Sequence, residues 1–261
     1  WRWKSPIWDE VKKQAKSPEN YVSGRGVEHY KLYKQDFELL KRLNLNSFRF
    51  SIEWSRIEPE EGQWNQAAID HYKDYIAELR KRGIEPMLNI WHSSLPVWFA
   101  ARGGFKYRKN LKYFKRFVHL VAKELTKDVK YVITLNEPNI YVTFSYYLGM
   151  FPPQEKNVLS MLRVYWNLML AHKDAYYTLK LEKPSLKVGL ANQLANIQAK
   201  DPHNISDELS TKVMRYAWNW WILHRLKDEQ DFVGVNYYFT DYYDGWFKRH
   251  NPDTPLNDRG W

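Results

Sequence analysis

The chain has 261 residues, 44% hydrophobic and 27% charged, with a formal net charge of +10 and no cysteine. That is enough chain for one sizeable core, and no stretch approaches the roughly 18 to 20 consecutive apolar residues that a membrane-spanning helix needs, so no membrane partner is expected. Without cysteine there can be no disulfide, thiolate metal site or cysteine nucleophile; nothing calls for an oxidising compartment, and a cytoplasmic setting is expected.

In chain order, WRWKSPIWDE has neither an initiator methionine nor a charged-then-apolar signal layout, so this end reads as interrupted. Residues 28–43 show helical spacing and lead into an apolar run at 47–52; residues 66–82 do the same before 85–91. A helix over about 110–126 precedes YVITLNE at 131–137, one near 160–182 precedes 187–192, and aromatic-rich 206–226 precedes FVGVNYY at 232–238. NPDTPLNDRGW closes no helix or strand, so this terminus also reads as interrupted. The whole of 1–261 is expected to form one domain.

Five short apolar strands, each following a helix, imply an α/β fold with a parallel sheet. Polar residues stand at the ends of these runs: Arg49, His92, Glu137, Asn192 and Tyr238, spaced by 43, 45, 55 and 46 residues. One strand-helix unit per interval brings them to one rim, as in a (β/α)8 TIM barrel. A doubly wound nucleotide fold would want a G-x-G-x-x-G loop, and the glycines at 24, 26, 103 and 104 do not supply it. At this spacing eight units would need on the order of 370 residues, so the expectation is an incomplete barrel of about five units.

The charge and the 17% aromatic content could suit a nucleic acid, but the cations are spread over helical faces. Arg108, Lys109, Lys112, Lys115 and Arg116 read as the solvated side of a helix whose Leu111, Phe114, Phe117 and Val118 face the core, so no nucleic-acid partner is expected. Eight histidines show no H-E-x-x-H or comparable spacing, and neither metal nor cofactor is expected. Trp218, Trp220 and Trp221 read as packing residues within a helix, and Asp241, Asp244, Asp253 and Asp258 as solvated loop residues.

Several ordered segments resemble glycoside hydrolase family 1, the retaining β-glucosidases and β-galactosidases. They are HYKLYKQDFELLKRL, FRFSIEWSRIEPEEGQWN, GIEPMLNIWHSSLPVWF, GGF, KYVITLNEPN, LAHKDAY and DFVGVNYY. The resemblance implies that Glu137 is the general acid/base and Asn136 the asparagine that binds the sugar 2-hydroxyl. It implies that His92 binds sugar hydroxyls, that Arg49 stands beside the nucleophile, and that Tyr238 hydrogen-bonds it; Asn236 is a weaker, neighbouring match. Ser93 and Val132 depart from the family pattern. No segment matches the first-strand Q-I-E-G, the T-E-N-G that carries the nucleophilic glutamate, or the later tryptophan and glutamate that bind the glycone.

Retaining hydrolysis needs two carboxyl groups about 5 to 5.5 Å apart, one to protonate the leaving oxygen and one to attack. Glu137 can be the first; the chain alone is expected to be inactive or nearly so against a β-glycoside or oligosaccharide substrate. From the residues alone Glu137 could also be a helix-start carboxylate, His92 a structural histidine, Arg49 an ion-pair partner and Tyr238 a core aromatic. The rival reading is a non-catalytic sugar-binding or assembly module, since an open barrel exposes strand edges that a second copy or a complementing fragment can cover.

Overall fold

A computed structural model describes residues 26–250. The readings of WRWKSPIWDE and NPDTPLNDRGW, including Asp253 and Asp258, fall outside the described residues. Helix α1 (His29–Arg42) leads into strand β1 (Ser47–Ser51); the short α2 (Trp54–Ile57) and α3 (Gln66–Lys81) lead into β2 (Glu85–Trp91). Then follow α4 (Val97–Ala101), α5 (Leu111–Leu125), β3 (Tyr131–Asn136), α6 (Pro138–Val142), α7 (Val158–Glu182) and β4 (Lys187–Ala199). The rest is α8 (Ile205–Arg215), α9 (Trp221–Arg225), β5 (Phe232–Tyr243) and the two-residue β6 (Arg249–His250). No helix among the described residues is long and apolar enough to cross a membrane.

The first five strands lie in sequence order and are all parallel; β6 returns antiparallel on β5. This is the sheet of a TIM barrel, present in part, as the strand-helix alternation implies. Strand alternation divides the side chains between two faces. Phe50, Leu88, Val132, Val188 and Leu190 turn outward into the core under the helices, where Phe37, Tyr75, Phe114, Phe117, Leu168 and Leu179 meet them. The helices start where side chains replace the missing backbone partners: Asn65 accepts from the Ala68 N–H at 3.2 Å, and Asn157 from the Ser160 N–H at 2.9 Å.

Four expectations need correction. The last two strands do not stop at 192 and 238 but stay paired out to Ala199 and Tyr243. Asp241 is therefore no loop residue: it lies in β5, buried, 2.5 Å from Arg249. Asp244 holds the hairpin into β6, accepting from the Trp246 and Lys248 N–H groups at 3.0 Å and facing His250 at 2.6 Å. The helical stretch over 206–226 is present but widens into one π-helical turn at Tyr216–Trp220, where the Asn219 amide bonds both the N–H and the C=O of Ala195. That leaves Trp220 exposed, so it is not the packing residue the helical spacing suggests. Finally, Arg116 is not simply solvated. It reaches the fully buried Glu58 and lies 5.4 Å from the Trp64 ring, an ion pair roofed by aromatic faces.

His172 of α7 fixes the helix layer to the sheet. Its Nε2 donates to the Glu229 carbonyl at 2.7 Å, so in the neutral ring Nδ1 accepts from the Thr134 hydroxyl of β3 at 2.6 Å. Burial pushes its pKa down to about 4. Because the folded value lies below the unfolded one, near 6.5, the unfolded chain binds the extra proton as pH falls. The stabilisation is whole above about pH 6.5 and is lost toward pH 4, at about 1.4 kcal/mol per pH unit. Urea unfolding at pH 7 and pH 4.5 should show this loss, and a His172→Gln chain should show a correspondingly shallower pH dependence.

Candidate active site

β3 ends where Pro138, which has no N–H to continue the ladder and has φ suited to a first helical turn, opens α6. The reversal is absorbed by Glu137, whose φ of 48° and ψ of 55° place a non-glycine residue in the left-handed region. Two bonds hold that conformation: the Glu137 N–H donates to the Ala191 carbonyl at 2.7 Å, and its carbonyl accepts from the Tyr141 N–H at 3.0 Å. The carboxylate caps none of the N–H groups of α6. The helix-start role is therefore not what it does.

Instead the carboxylate faces the sheet mouth. Its Oε1 accepts from Asn236 Nδ2 at 2.8 Å and from the Tyr238 hydroxyl at 3.2 Å. The same Asn236 Nδ2 donates to the Asn136 Oδ1 at 2.9 Å, and its own Oδ1 accepts from Arg49 at 3.1 Å. The Arg49 guanidinium also bonds Asn136 Oδ1, so β1, β3 and β5 meet through three side chains at one point. Asn236, the neighbouring match in the sequence, is thus the hub: it touches Arg49, Asn136 and Glu137. In this chain the Tyr238 hydroxyl is given to Glu137.

His92 stands at the end of β2, exposed at the mouth, with Nδ1 3.2 Å from the Ser51 hydroxyl, which accepts from Asn89 Nδ2 at 2.9 Å. Ser51 and Asn89 were not singled out from the sequence, although Ser51, two residues after Arg49 on β1, shares its face by strand alternation. The following Ser93 has a φ of 68°, a second strained non-glycine turn at the mouth. Asn192 does not join the cluster. It is fully buried, and neither end of its amide bonds a protein group among the described residues.

The electrostatics follow from partial enclosure. Desolvation pushes the Arg49 pKa down, opposed by the charge of Glu137, and the guanidinium remains a cation. Desolvation, helped by Arg49, pushes His92 down, so the imidazole is neutral at pH 7. Desolvation of its hydroxyl, then the charge and hydrogen bond of Glu137, raise Tyr238 and keep it a donor. Among the described residues, Glu137 is the one carboxylate acting on Arg49, His92 and Tyr238. Removing that charge should make phenolate formation easier. In a tyrosine-ring ¹³C-NMR titration, Tyr238 should therefore ionise at lower pH in a Glu137→Gln chain than in the parent chain.

The Glycosyl hydrolase family 1 profile matches residues 3–226. β-Glucosidase A of Acetivibrio thermocellus is 31% identical over 194 residues, 72% of this chain and 43% of that protein. The β-glycosidase from Pyrococcus horikoshii superposes with a TM-score of 0.86 at 30% identity, covering 97% of this chain and 64% of that one. The β-glucosidase from Thermotoga maritima, in complex with glucoimidazole, gives a TM-score of 0.81 at 25% identity over 89% of this chain and 60% of that one. The chain spans less than two thirds of each of these proteins. The ordered strand-end motifs, the parallel sheet and the profile match lead to one conclusion: this chain belongs to glycosyl hydrolase family 1.

Proposed function

We propose that the chain supplies the acid/base half of a retaining β-glycosidase site, acting on β-D-glucosides or β-D-galactosides without a cofactor. The observation that carries this reading is the Glu137 carboxylate, free of any capping role and held at the mouth by Asn236 and Tyr238. Glu137 gives its proton to the leaving oxygen and then, as base, takes one from the water that releases the sugar. Asn136 and His92 bind glycone hydroxyls. Arg49 and Tyr238 stand ready to hold a second, nucleophilic carboxylate ionised and in place. The glucoimidazole complex of the Thermotoga maritima relative supports a glucose-shaped ligand at this mouth. Residues 1–261 act as one domain, and the proposed setting is cytoplasmic.

Turnover of 4-nitrophenyl β-D-glucoside tests the reading. Within a complete barrel the chain should support hydrolysis with the β-anomer of glucose released first. The 261-residue chain alone should stay at the background of its Glu137→Ala variant. Glu137-dependent turnover by the chain alone would contradict the half-site reading.

A second reading has its own observation. Val233, Val235 and Tyr237 of β5 alternate with the mouth residues Asn236 and Tyr238, and all three are exposed. That uncovered face supports a module that binds a second copy or a complementing fragment rather than one that catalyses. Sedimentation equilibrium distinguishes them: self-association that weakens in a Val235→Lys chain favours assembly.

A further inference from the structure

Three arginines among the described residues are half-buried: Arg49, Arg82 and Arg116. Two of them carry their own counter-charge. Arg82 lies 2.6 Å from a carboxylate oxygen of Glu38 and also pairs with Glu78, and Arg116 pairs with Glu58. Arg49 differs: among the described residues its guanidinium donates only to two amide oxygens, Asn236 Oδ1 at 3.1 Å and Asn136 Oδ1. Glu137, the carboxylate whose charge reaches it, gives its Oε1 to Asn236 and Tyr238 instead.

A cation drawn partly out of water is costly unless an opposite charge meets it, and an amide oxygen offers only a partial one. The cost shows in Arg49 itself, whose pKa desolvation pushes down and the Glu137 charge only opposes. A guanidinium presents five N–H donors in a planar fork, and two are used here. That fork matches the two oxygens of a carboxylate better than it matches a sugar hydroxyl. The other titratable groups beside Arg49 do not oppose an anion: His92 is neutral and Tyr238 keeps its proton. Only Glu137 repels one.

We propose that this chain binds a small free carboxylate at its mouth, on the Arg49 guanidinium. The inference rests on the charge and partners of Arg49 and does not require that the mouth cleave a glycoside. The test is a titration of the full chain with acetate and, in parallel, with its neutral isostere acetamide, at constant ionic strength. The ¹H–¹⁵N signal of Arg49 Nε–H and the ¹H–¹³C ring signal of His92 report it. Acetate should shift both saturably with a Kd on the order of 10 mM, and acetamide should bind at least tenfold more weakly. The exposed Arg42 and Arg163 should respond little. Arg49→Gln keeps an N–H for the asparagine oxygens but not the charge, and should abolish the acetate response of His92. Glu137→Gln removes the repelling charge and should tighten acetate about threefold or more. The two variants thus act in opposite directions, which general loosening of the mouth would not produce. The proposal is overturned by no saturable shift at Arg49, by an equal response to acetamide, by an equal response at Arg42 and Arg163, or by acetate binding that Glu137→Gln weakens or leaves unchanged. No readout involves turnover, so failure here is distinct from failure of Glu137 as acid/base.

Discussion

A Gly189→Ala chain is expected to lose about 3 kcal/mol or more of stability, although only one methyl group is added. Gly189 of β4 is the register partner of Phe232 of β5. A Cβ there would stand 2.1 Å from the Phe232 carbonyl oxygen and 3.1 Å from its carbonyl carbon. Those are backbone atoms on a hydrogen-bonded ladder, so no side-chain rotation relieves the clash; the strands must part. Two residues along, Gly234 of β5 lies against Ala191 of β4, with its missing Cβ 2.8 Å from that of Ala191. The β4–β5 seam is thus closed around two glycines. β5 carries Asn236 and Tyr238, so parting the seam also withdraws the groups that hold Glu137. Urea unfolding should show the midpoint falling with little change in slope. As a control, Gly83 has open space around its Cβ position and only a φ of +74° to strain. Gly83→Ala should therefore cost only about 1 kcal/mol. Comparable losses at the two positions would show that the close approach at the seam is not what matters.

The seam also explains which parts of the site could be read in advance. Local pattern sufficed for the five strands, because a buried parallel strand needs a continuous apolar run and the covering helix needs its stripe. It sufficed as well for Glu137, since a strand that ends in a carboxylate followed by proline has its turn written into adjacent residues. The hub role of Asn236 was out of reach. Its bonds to Arg49 and Asn136 depend on the lateral register of β1, β3 and β5, and no local period encodes register across that many residues. The same holds for Arg116, which looks like any cation on an amphipathic face until Glu58 is found buried beneath it. Asp241 reads as a loop residue because polar composition after FVGVNYY resembles a turn. Pairing of β5 with the equally long β4 instead keeps the backbone extended to Tyr243. Tyr238 shows the converse: its place at the mouth was legible, but the group it would meet there was not.

The other large effect concerns Glu137 itself. Glutamine at this position has nearly the shape of glutamic acid, and its amide oxygen can still accept from Asn236 and Tyr238, so the cluster should survive. What it cannot do is give up a proton. A departing alkoxide needs that proton and a departing nitrophenolate does not, so the defect should depend on the leaving group. With no comparable dependence, the carboxylate would be holding the mouth together rather than acting as an acid. The most direct measurement is kcat/KM for methyl β-D-glucoside and for 2,4-dinitrophenyl β-D-glucoside, in a complete barrel assembled to include this chain, with and without Glu137→Gln. The methyl glucoside should lose on the order of 10² to 10⁴ in kcat/KM and the dinitrophenyl glucoside less than about tenfold. Equal losses on both substrates, or none on either, would contradict Glu137 as the proton donor.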